Sequence, residues 1–211
     1  SRTDFYESKP FALFEIKNFL PDNIYSDLYN SFPKEEYFKP GSDEYAIDLF
    51  HSSDEKFNLF LDSNLNWKDF YESMNSEKFI RSAYFFSLLP NIKSRGLAAL
   101  KVWTTKENIP FYLKPFFRKV HVSFMFSRMN GVKRLAPHTD VPSKLISMVY
   151  YFCDKDWVNK AGGNTVFWKN IKNKEKWKNW ENKHLPQKDH DDFKSDNVIW
   201  HETKFEGNKI I

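Results

Sequence analysis

The chain has 211 residues but a single cysteine, Cys153, which excludes both an intramolecular disulfide framework and a cysteine cluster for zinc. We interpret Cys153 as a small core residue. The sequence contains no apolar run long enough to cross a membrane, and no signal peptide is visible, so we expect a cytoplasmic protein without a membrane partner. The formal net charge of +4 is too small to indicate nucleic acid as a partner by itself.

Aromatic side chains are what the sequence has in abundance. They make up 18% of the residues, with 22 Phe, and the hydrophobic content is 41%. This composition indicates a folded, aromatic-packed interior and not a disordered chain. The length is sufficient for one domain with a sizeable core.

The first half of the chain favours helices and the second half favours strands. The predicted elements of the first half are a strand over 11–19, a helix that starts at Pro21 and Asp22 and ends at Pro33, a loop over 34–53, two helices capped by Asn66 and Ser76, and a connector over 90–96. From about residue 98 onward the pattern becomes that of strands. Helices followed by a β-core suit a jelly-roll whose outer sheet is braced by helices.

The chemistry-bearing motif lies among these strands, at Pro137-His138-Thr139-Asp140. Strand-like segments precede it over 120–129 and follow it over 145–152. On a strand, residues two apart point to the same face, so His138 and Asp140 can aim an imidazole and a carboxylate at one point. These are two of the three ligands of the 2-His-1-carboxylate site that holds non-haem Fe(II). The alternative is a surface turn, in which Asp140 accepts backbone hydrogen bonds ahead of Pro142.

Several segments of the chain together resemble the Fe(II)/2-oxoglutarate-dependent dioxygenases, in particular their prolyl-4-hydroxylase-like branch. The similar pieces are 14–22, the strand that ends in Ser127-Arg128-Met129-Asn130-Gly131, the segment 135–140, Tyr150-Tyr151-Phe152, and Gly162-Gly163-Asn164-Thr165-Val166-Phe167. The resemblance implies a double-stranded β-helix and one Fe(II) bound by His138, Asp140 and a distal His. It also implies 2-oxoglutarate as co-substrate and the oxidation of a C–H bond by O₂, with release of succinate and CO₂.

The resemblance implies one domain over 1–211, with a helical part at about 20–90 and a β-core at about 98–211. His201 is a candidate for the distal His. However, Glu206-Gly207-Asn208 is typical of the turn before the last long strand of this family, and that strand would only begin at Lys209. We therefore expect the chain to be a fragment, or the ordered part of a longer protein, that lacks its last strand. His201 is then favoured as a strand residue, with the distal His beyond Ile211.

Arg128 occupies a position where relatives often carry a Tyr that contacts 2-oxoglutarate. Its planar guanidinium suits a carboxylate, so Arg128 is a candidate cofactor-binding residue. An exposed strand residue is the other interpretation.

Three functions remain open at the level of the sequence. The first is an oxygenase that hydroxylates a peptide, a glycan-linked group or a small molecule. The second is a non-catalytic jelly-roll binding module that has lost the third ligand. The third is an oxygenase acting on nucleic acid through the segment 169–183, in which lysines surround Trp168, Trp177 and Trp180. We favour packed tryptophans and solvated lysines in that segment, and therefore no nucleic acid.

Overall fold

The structure, a computed structural model, describes residues 2–6, 12–41, 47–96, 100–129, 137–138, 144–154, 157, 162–178, 185 and 187–211. The described residues combine helices with four small sheets and form no closed barrel. The chain divides into two compact units, the first made of Ser1–Tyr25 with Val132–Ile211 and the second of Ser26–Gly131. The mixed helix and strand content is as predicted, while the jelly-roll and the single domain stay predictions.

The first unit contains most of the strands. Its elements are β1 (Arg2–Tyr6), β2 (Leu13–Lys17), the start of α1 (Asp22–Asn30), β7 (Tyr150–Tyr151), β8 (Thr165–Asn170), α5 (Lys174–Lys178), α6 (His190–Asp196), β9 (Asn197–Thr203) and β10 (Lys209–Ile210). One antiparallel sheet has the order β1-β2-β10-β7. A second is the antiparallel pair of β8 and β9, with a register shift between Phe167 and Trp168.

Asn208 fixes the turn that leads into β10. It adopts a left-handed backbone conformation (φ 56°), which Asn tolerates better than most residues. Its side-chain amide accepts a hydrogen bond from Leu20 N at 2.9 Å and donates one to Leu20 O at 2.8 Å. Phe19 N also donates to the Asn208 carbonyl at 3.1 Å. The predicted turn at Glu206-Gly207-Asn208 is therefore confirmed, and it anchors the segment between β2 and α1.

The second unit holds the long helices and an aromatic core. Its elements are β3 (Ile47–His51), α2 (Lys56–Ser63), α3 (Leu65–Asn75), α4 (Glu77–Arg95), β4 (Val102–Thr104), β5 (Phe117–Lys119) and β6 (Met125–Met129). β3 pairs antiparallel with β6, and β4 pairs parallel with β5. Phe50, Trp67 and Phe126 are buried, with Trp67 and Phe126 in edge contact at 4.7 Å between ring centroids. Such pairs contribute about 0.5–1.5 kcal/mol beyond the area they bury. The predicted aromatic interior is confirmed.

The helical region differs from the prediction at three points. α2 forms over Lys56–Ser63, where only the two helices capped by Asn66 and Ser76 were predicted. α4 runs through Pro90 to Arg95, where a connector was predicted. A proline inside a helix costs about 3 kcal/mol, and here α4 begins at a well-formed cap and buries Ile80 and Tyr84 on one face. The cap is Ser76, as predicted, whose hydroxyl accepts from Phe79 N at 3.2 Å. The predicted cap at Asn66 is wrong, because α3 begins at Leu65 and Asn66 lies within it.

The strands also differ from their predicted extents. The loop predicted over 34–53 contains β3, whose pairing with β6 cannot be read from local sequence. The strand predicted over 120–129 begins only at Met125, and the strand predicted over 145–152 is reduced to Tyr150–Tyr151. Regular pairing extends only as far as a neighbouring strand provides partners.

Candidate active site

The segment of the predicted metal ligands is described in part. Pro137 and His138 lie outside regular secondary structure, and the carbonyl of Pro137 accepts a hydrogen bond from Leu185 N at 3.2 Å. The His138 side chain is exposed to solvent. Asp140 lies outside the described residues. His138 is thus on the surface of the first unit, on a backbone that Leu185 holds.

A pair of adjacent glycines shapes the turn before β8. Gly162 and Gly163 have φ of 108° and 81°, in the region that favours glycine. A Cβ on Gly163 would lie 2.8 Å from the Phe205 ring, so only glycine allows this close approach. Asn164 then accepts from Phe205 N at 3.0 Å and donates to Glu202 at 2.7 Å. The Gly-Gly-Asn sequence therefore joins the start of β8 to the end of β9.

Two tyrosines of β7, Tyr150 and Tyr151, are held by hydrogen bonds in the first unit. The Tyr150 hydroxyl donates to Asn208 Oδ1 at 2.8 Å, and burial raises its pKa well above the ordinary value. The Tyr151 hydroxyl donates to Thr165 Oγ1 at 2.5 Å, and burial raises its pKa to about 12. Both phenols therefore stay protonated at neutral pH and act as hydrogen-bond donors. Cys153 is buried as predicted, and burial raises the pKa of its thiol to about 11.

A buried group of polar side chains connects β2, β9 and β10. Glu15, which is 5% exposed, accepts a hydrogen bond on Oε1 from the Thr203 hydroxyl. His201 Nε2 lies 2.8 Å from the same oxygen. Lys209, which is 2% exposed, places Nζ 3.9 Å from the other carboxylate oxygen and donates to Lys204 O at 2.7 Å. We call Glu15, His201, Thr203 and Lys209 the buried polar cluster.

Glu206 forms ion pairs with Lys209 of the buried polar cluster and with Lys17, which is nearer the surface. Its carboxylate lies 3.4 Å from Lys209 Nζ and 3.1 Å from Lys17 Nζ. Partial burial by itself would raise the pKa of Glu206, but Lys17 and Lys209 outweigh it and lower the pKa. The carboxylates of Glu15 and Glu206 thus lie near two ammonium groups. One is that of Lys209, which is buried, and the other is that of Lys17, whose side chain is exposed.

Sequence reasoning missed this cluster, although one signal was present. Glu15 shares a strand face with Leu13, which is buried, because side chains alternate along a strand. A carboxylate at an inward position requires a partner, since burying an unpaired charge is costly. The partner itself could not be read from the sequence.

His201 lies on β9, as the sequence predicted for a strand residue. Its Nε2 is engaged by Glu15, and its ring lies 6.3 Å from Phe167 and 6.2 Å from Trp200. That it is not the distal metal ligand stays a prediction. Of the remaining histidines, His51 contacts Ser53 and Ser123 at 2.7 and 2.8 Å, His190 contacts Leu185 O at 3.1 Å, His121 is exposed, and His184 lies outside the described residues.

Arg128, the candidate cofactor-binding residue, belongs to the second unit. It lies opposite Asp48 in the pairing of β3 with β6. One terminal nitrogen lies 3.0 Å from Glu35 Oε1 and 3.1 Å from Asp48 Oδ2, and the guanidinium covers the Phe38 ring at 5.3 Å. These bonds to Glu35 and then Asp48 raise the pKa of Arg128. A carboxylate ligand would compete with two protein carboxylates, and binding of 2-oxoglutarate by Arg128 stays a prediction.

The segment of lysines and tryptophans is described from Lys169 to Lys178. Trp177 is buried and donates from Nε1 to Asp196 at 3.0 Å, while Trp168 packs edge-on against Phe193 at 5.3 Å. Lys176 pairs with Asp192 at 2.8 Å and covers the Trp177 ring at 4.7 Å. Both indoles are thus in contact with protein side chains, in the arrangement favoured from the sequence. Trp180 and Lys183 lie outside the described residues.

Among the residues that the structure describes, which do not include Asp140, no three His, Cys, Asp or Glu side chains form a group that could hold a metal ion. Within the same residues, no helix is long and apolar enough to span a membrane.

No known protein family, curated protein or solved structure is matched by the chain.

Proposed function

We propose that the protein is an Fe(II)- and 2-oxoglutarate-dependent oxygenase that hydroxylates a peptide, a glycan-linked group or a small molecule. The observation that carries the proposal is His138. It is exposed, it lies two residues before Asp140, and its segment falls between β6 and β7 in the order of the chain. Site residues are commonly placed on loops that a folded scaffold carries.

The donor set of the segment fits the proposed metal. A neutral imidazole with a carboxylate, completed by a second imidazole, is the ligand set of non-haem Fe(II) oxygenases. When bound, Fe(II) and 2-oxoglutarate supply the oxidation of a C–H bond by O₂. The protein's own residues bind the ion, orient the co-substrate and position the target. In this chain, the hydrogen bond from Leu185 N to Pro137 O restrains the backbone next to His138.

A calorimetric titration with Mn(II), a redox-stable substitute for Fe(II), tests the metal site in the protein expressed from its complete coding sequence. We expect His138→Ala and Asp140→Ala each to weaken Mn(II) binding at least tenfold, because two ligands rarely hold a labile divalent ion. His121→Ala is the matched control, since His121 is an exposed imidazole of the second unit. Unchanged affinity in His138→Ala, with a melting temperature equal to that of the unsubstituted protein, would remove His138 from the site.

The non-catalytic binding module is the second candidate. The observation that favours it is that the two other site candidates, His201 and Arg128, are both engaged by protein carboxylates. It differs from the oxygenase in one measurable property. For a binding module, the heat of Mn(II) binding would be the same in the unsubstituted protein as in His138→Ala and Asp140→Ala.

A further inference from the structure

A cleft of about 480 Å³ lies in the second unit, along the first two turns of α4. It is lined by Glu77, Lys78, Arg81, Ser82 and Phe85 of α4 and by Lys106, which follows β4. Its volume falls within the range of about 300–1,000 Å³ that is usual for small-molecule sites. None of the residues proposed above for the oxygenase lines it. We call it the α4 cleft.

The charge of the α4 cleft is positive. Lys78, Arg81 and Lys106 face one carboxylate, that of Glu77. In the part of the chain that the structure describes, Lys78 and Lys106 have no ion-pair partner, whereas Arg81 lies 3.6 Å from Glu77. An anionic ligand would therefore meet two unpaired ammonium groups and one guanidinium group.

The charge of Glu77 offsets one of the three positive charges, and hydrogen bonds hold its carboxylate in place. Its Oε1 accepts from Thr104 Oγ1 and Thr105 N at 2.8 Å and from Thr105 Oγ1 at 2.9 Å. Burial alone would raise the pKa of Glu77, but these bonds and Arg81 lower it to about 2. Glu77 thus ties α4 to the end of β4 and holds the residues on both sides of the cleft.

Phe85 gives the cleft an apolar wall. Its side chain is 69% exposed, which is unusual for a phenylalanine, and its ring meets Tyr84 edge-on at 5.3 Å. A planar ring of a ligand could stack on the exposed face. Aromatic side chains stack favourably with every nucleic acid base, because each base has a π-face.

We propose that the α4 cleft binds a nucleoside phosphate, with the phosphate held by Lys78, Arg81 and Lys106 and the base stacked on Phe85. Basic side chains bind phosphate through charge-assisted hydrogen bonds, and arginine does so with two parallel donors. The same chemistry could be offered by a free nucleotide or by the end of a single strand.

Calorimetry with AMP, adenosine and inorganic phosphate tests the proposal. We expect AMP to bind at least tenfold more tightly than adenosine or phosphate alone. The variant Lys78→Ala/Lys106→Ala should lose at least tenfold in AMP affinity, and Phe85→Ala should lose severalfold. These three side chains are exposed, so the variants are expected to fold as the unsubstituted protein does.

Matched controls are Lys34→Ala and Phe111→Ala, an exposed lysine and an 86% exposed phenylalanine of the same unit that do not line the cleft. Equal affinities for AMP and adenosine, or equal losses in the controls, would overturn the proposal, as would no AMP binding at millimolar concentration. A short oligothymidylate that binds more tightly than TMP, with the same dependence on Phe85, would assign the cleft to strand ends. Tighter or equal binding of TMP would assign it to the free nucleotide.

Discussion

His201 on β9 and Glu15 on β2 meet at 2.8 Å inside the first unit, although 186 positions separate them in the sequence. Glu15 also faces Lys209 and accepts a hydrogen bond from Thr203. Three strands are therefore joined by one carboxylate. The relationship gives His201 a role in the fold, independent of any metal.

We expect Glu15→Ala to lower the free energy of unfolding by about 1–3 kcal/mol, because it leaves the donors of Thr203 and His201 without their buried acceptor. Lys209 loses one neighbouring carboxylate and keeps Glu206 at 3.4 Å. Urea unfolding followed by circular dichroism measures the change. Glu15→Leu/Lys209→Met should lose less than Glu15→Ala, since it removes both charges. A larger loss in the double variant would contradict the assigned pairing.

We expect His201→Ala to lower the free energy of unfolding by about 0.5–1.5 kcal/mol, the net contribution of one hydrogen bond, because Glu15 keeps its bond from Thr203. We also expect Mn(II) affinity to stay unchanged. Unfolding and calorimetry on the same preparation separate the two effects. Glu202→Ala is the control on the same strand, since Glu202 is exposed. A tenfold loss of Mn(II) affinity in His201→Ala would make His201 a metal ligand and the prediction wrong.

Glu77 makes the stability of the second unit depend on pH in the acid range. Its pKa is 4.5 ordinarily and about 2 in the folded chain, so the folded state binds its proton less readily than the unfolded state does. The stabilisation is therefore fully present above about pH 4.5 and is lost as the pH falls toward 2. The difference in unfolding free energy between the unsubstituted protein and Glu77→Gln should shrink over that range. Glu72→Gln, an exposed carboxylate of α3, should show no comparable change.

The segment 169–183 is expected to bind nucleic acid weakly. Trp168 packs against Phe193, the Trp177 indole is bonded to Asp196, and Lys176 is paired with Asp192. A labelled single-stranded oligonucleotide should bind weakly at physiological salt, as measured by fluorescence anisotropy. Tight binding with a steep salt dependence, lost when Lys169, Lys172 and Lys176 are replaced by Ala, would show that the segment is a nucleic acid site.

Local signals in the sequence predicted those parts of the fold that local chemistry determines. Ser76 precedes Glu77 and the apolar positions of α4, so it was identifiable as a cap. Asn208 follows Gly207 and precedes Lys209-Ile210-Ile211, so the turn was identifiable as well. Both features depend on a few neighbouring residues, and neither requires knowledge of a distant partner.

The parts that could not be predicted depend on distant partners. β3 exists because Phe50 lies opposite Phe126 in the pairing with β6. α4 continues through Pro90, although the proline alone favours a break. In the candidate site, the spacing of His138 and Asp140 predicts a pair of metal ligands, and that assignment stays a prediction. The sequence offers no means of finding that Arg128 pairs with Glu35 and Asp48, or that Glu15 engages His201.

Formation of succinate from 2-oxoglutarate tests the proposed function most directly. The protein is expressed from its complete coding sequence and supplied with Fe(II), ascorbate and O₂, without added substrate, because slow uncoupled turnover is expected of an enzyme that resembles this family. We predict succinate above the background of both His138→Ala and Asp140→Ala, with His121→Ala as active as the unsubstituted protein. Succinate at or below the Asp140→Ala background, in a preparation that melts cooperatively, would contradict the oxygenase assignment and favour the binding module.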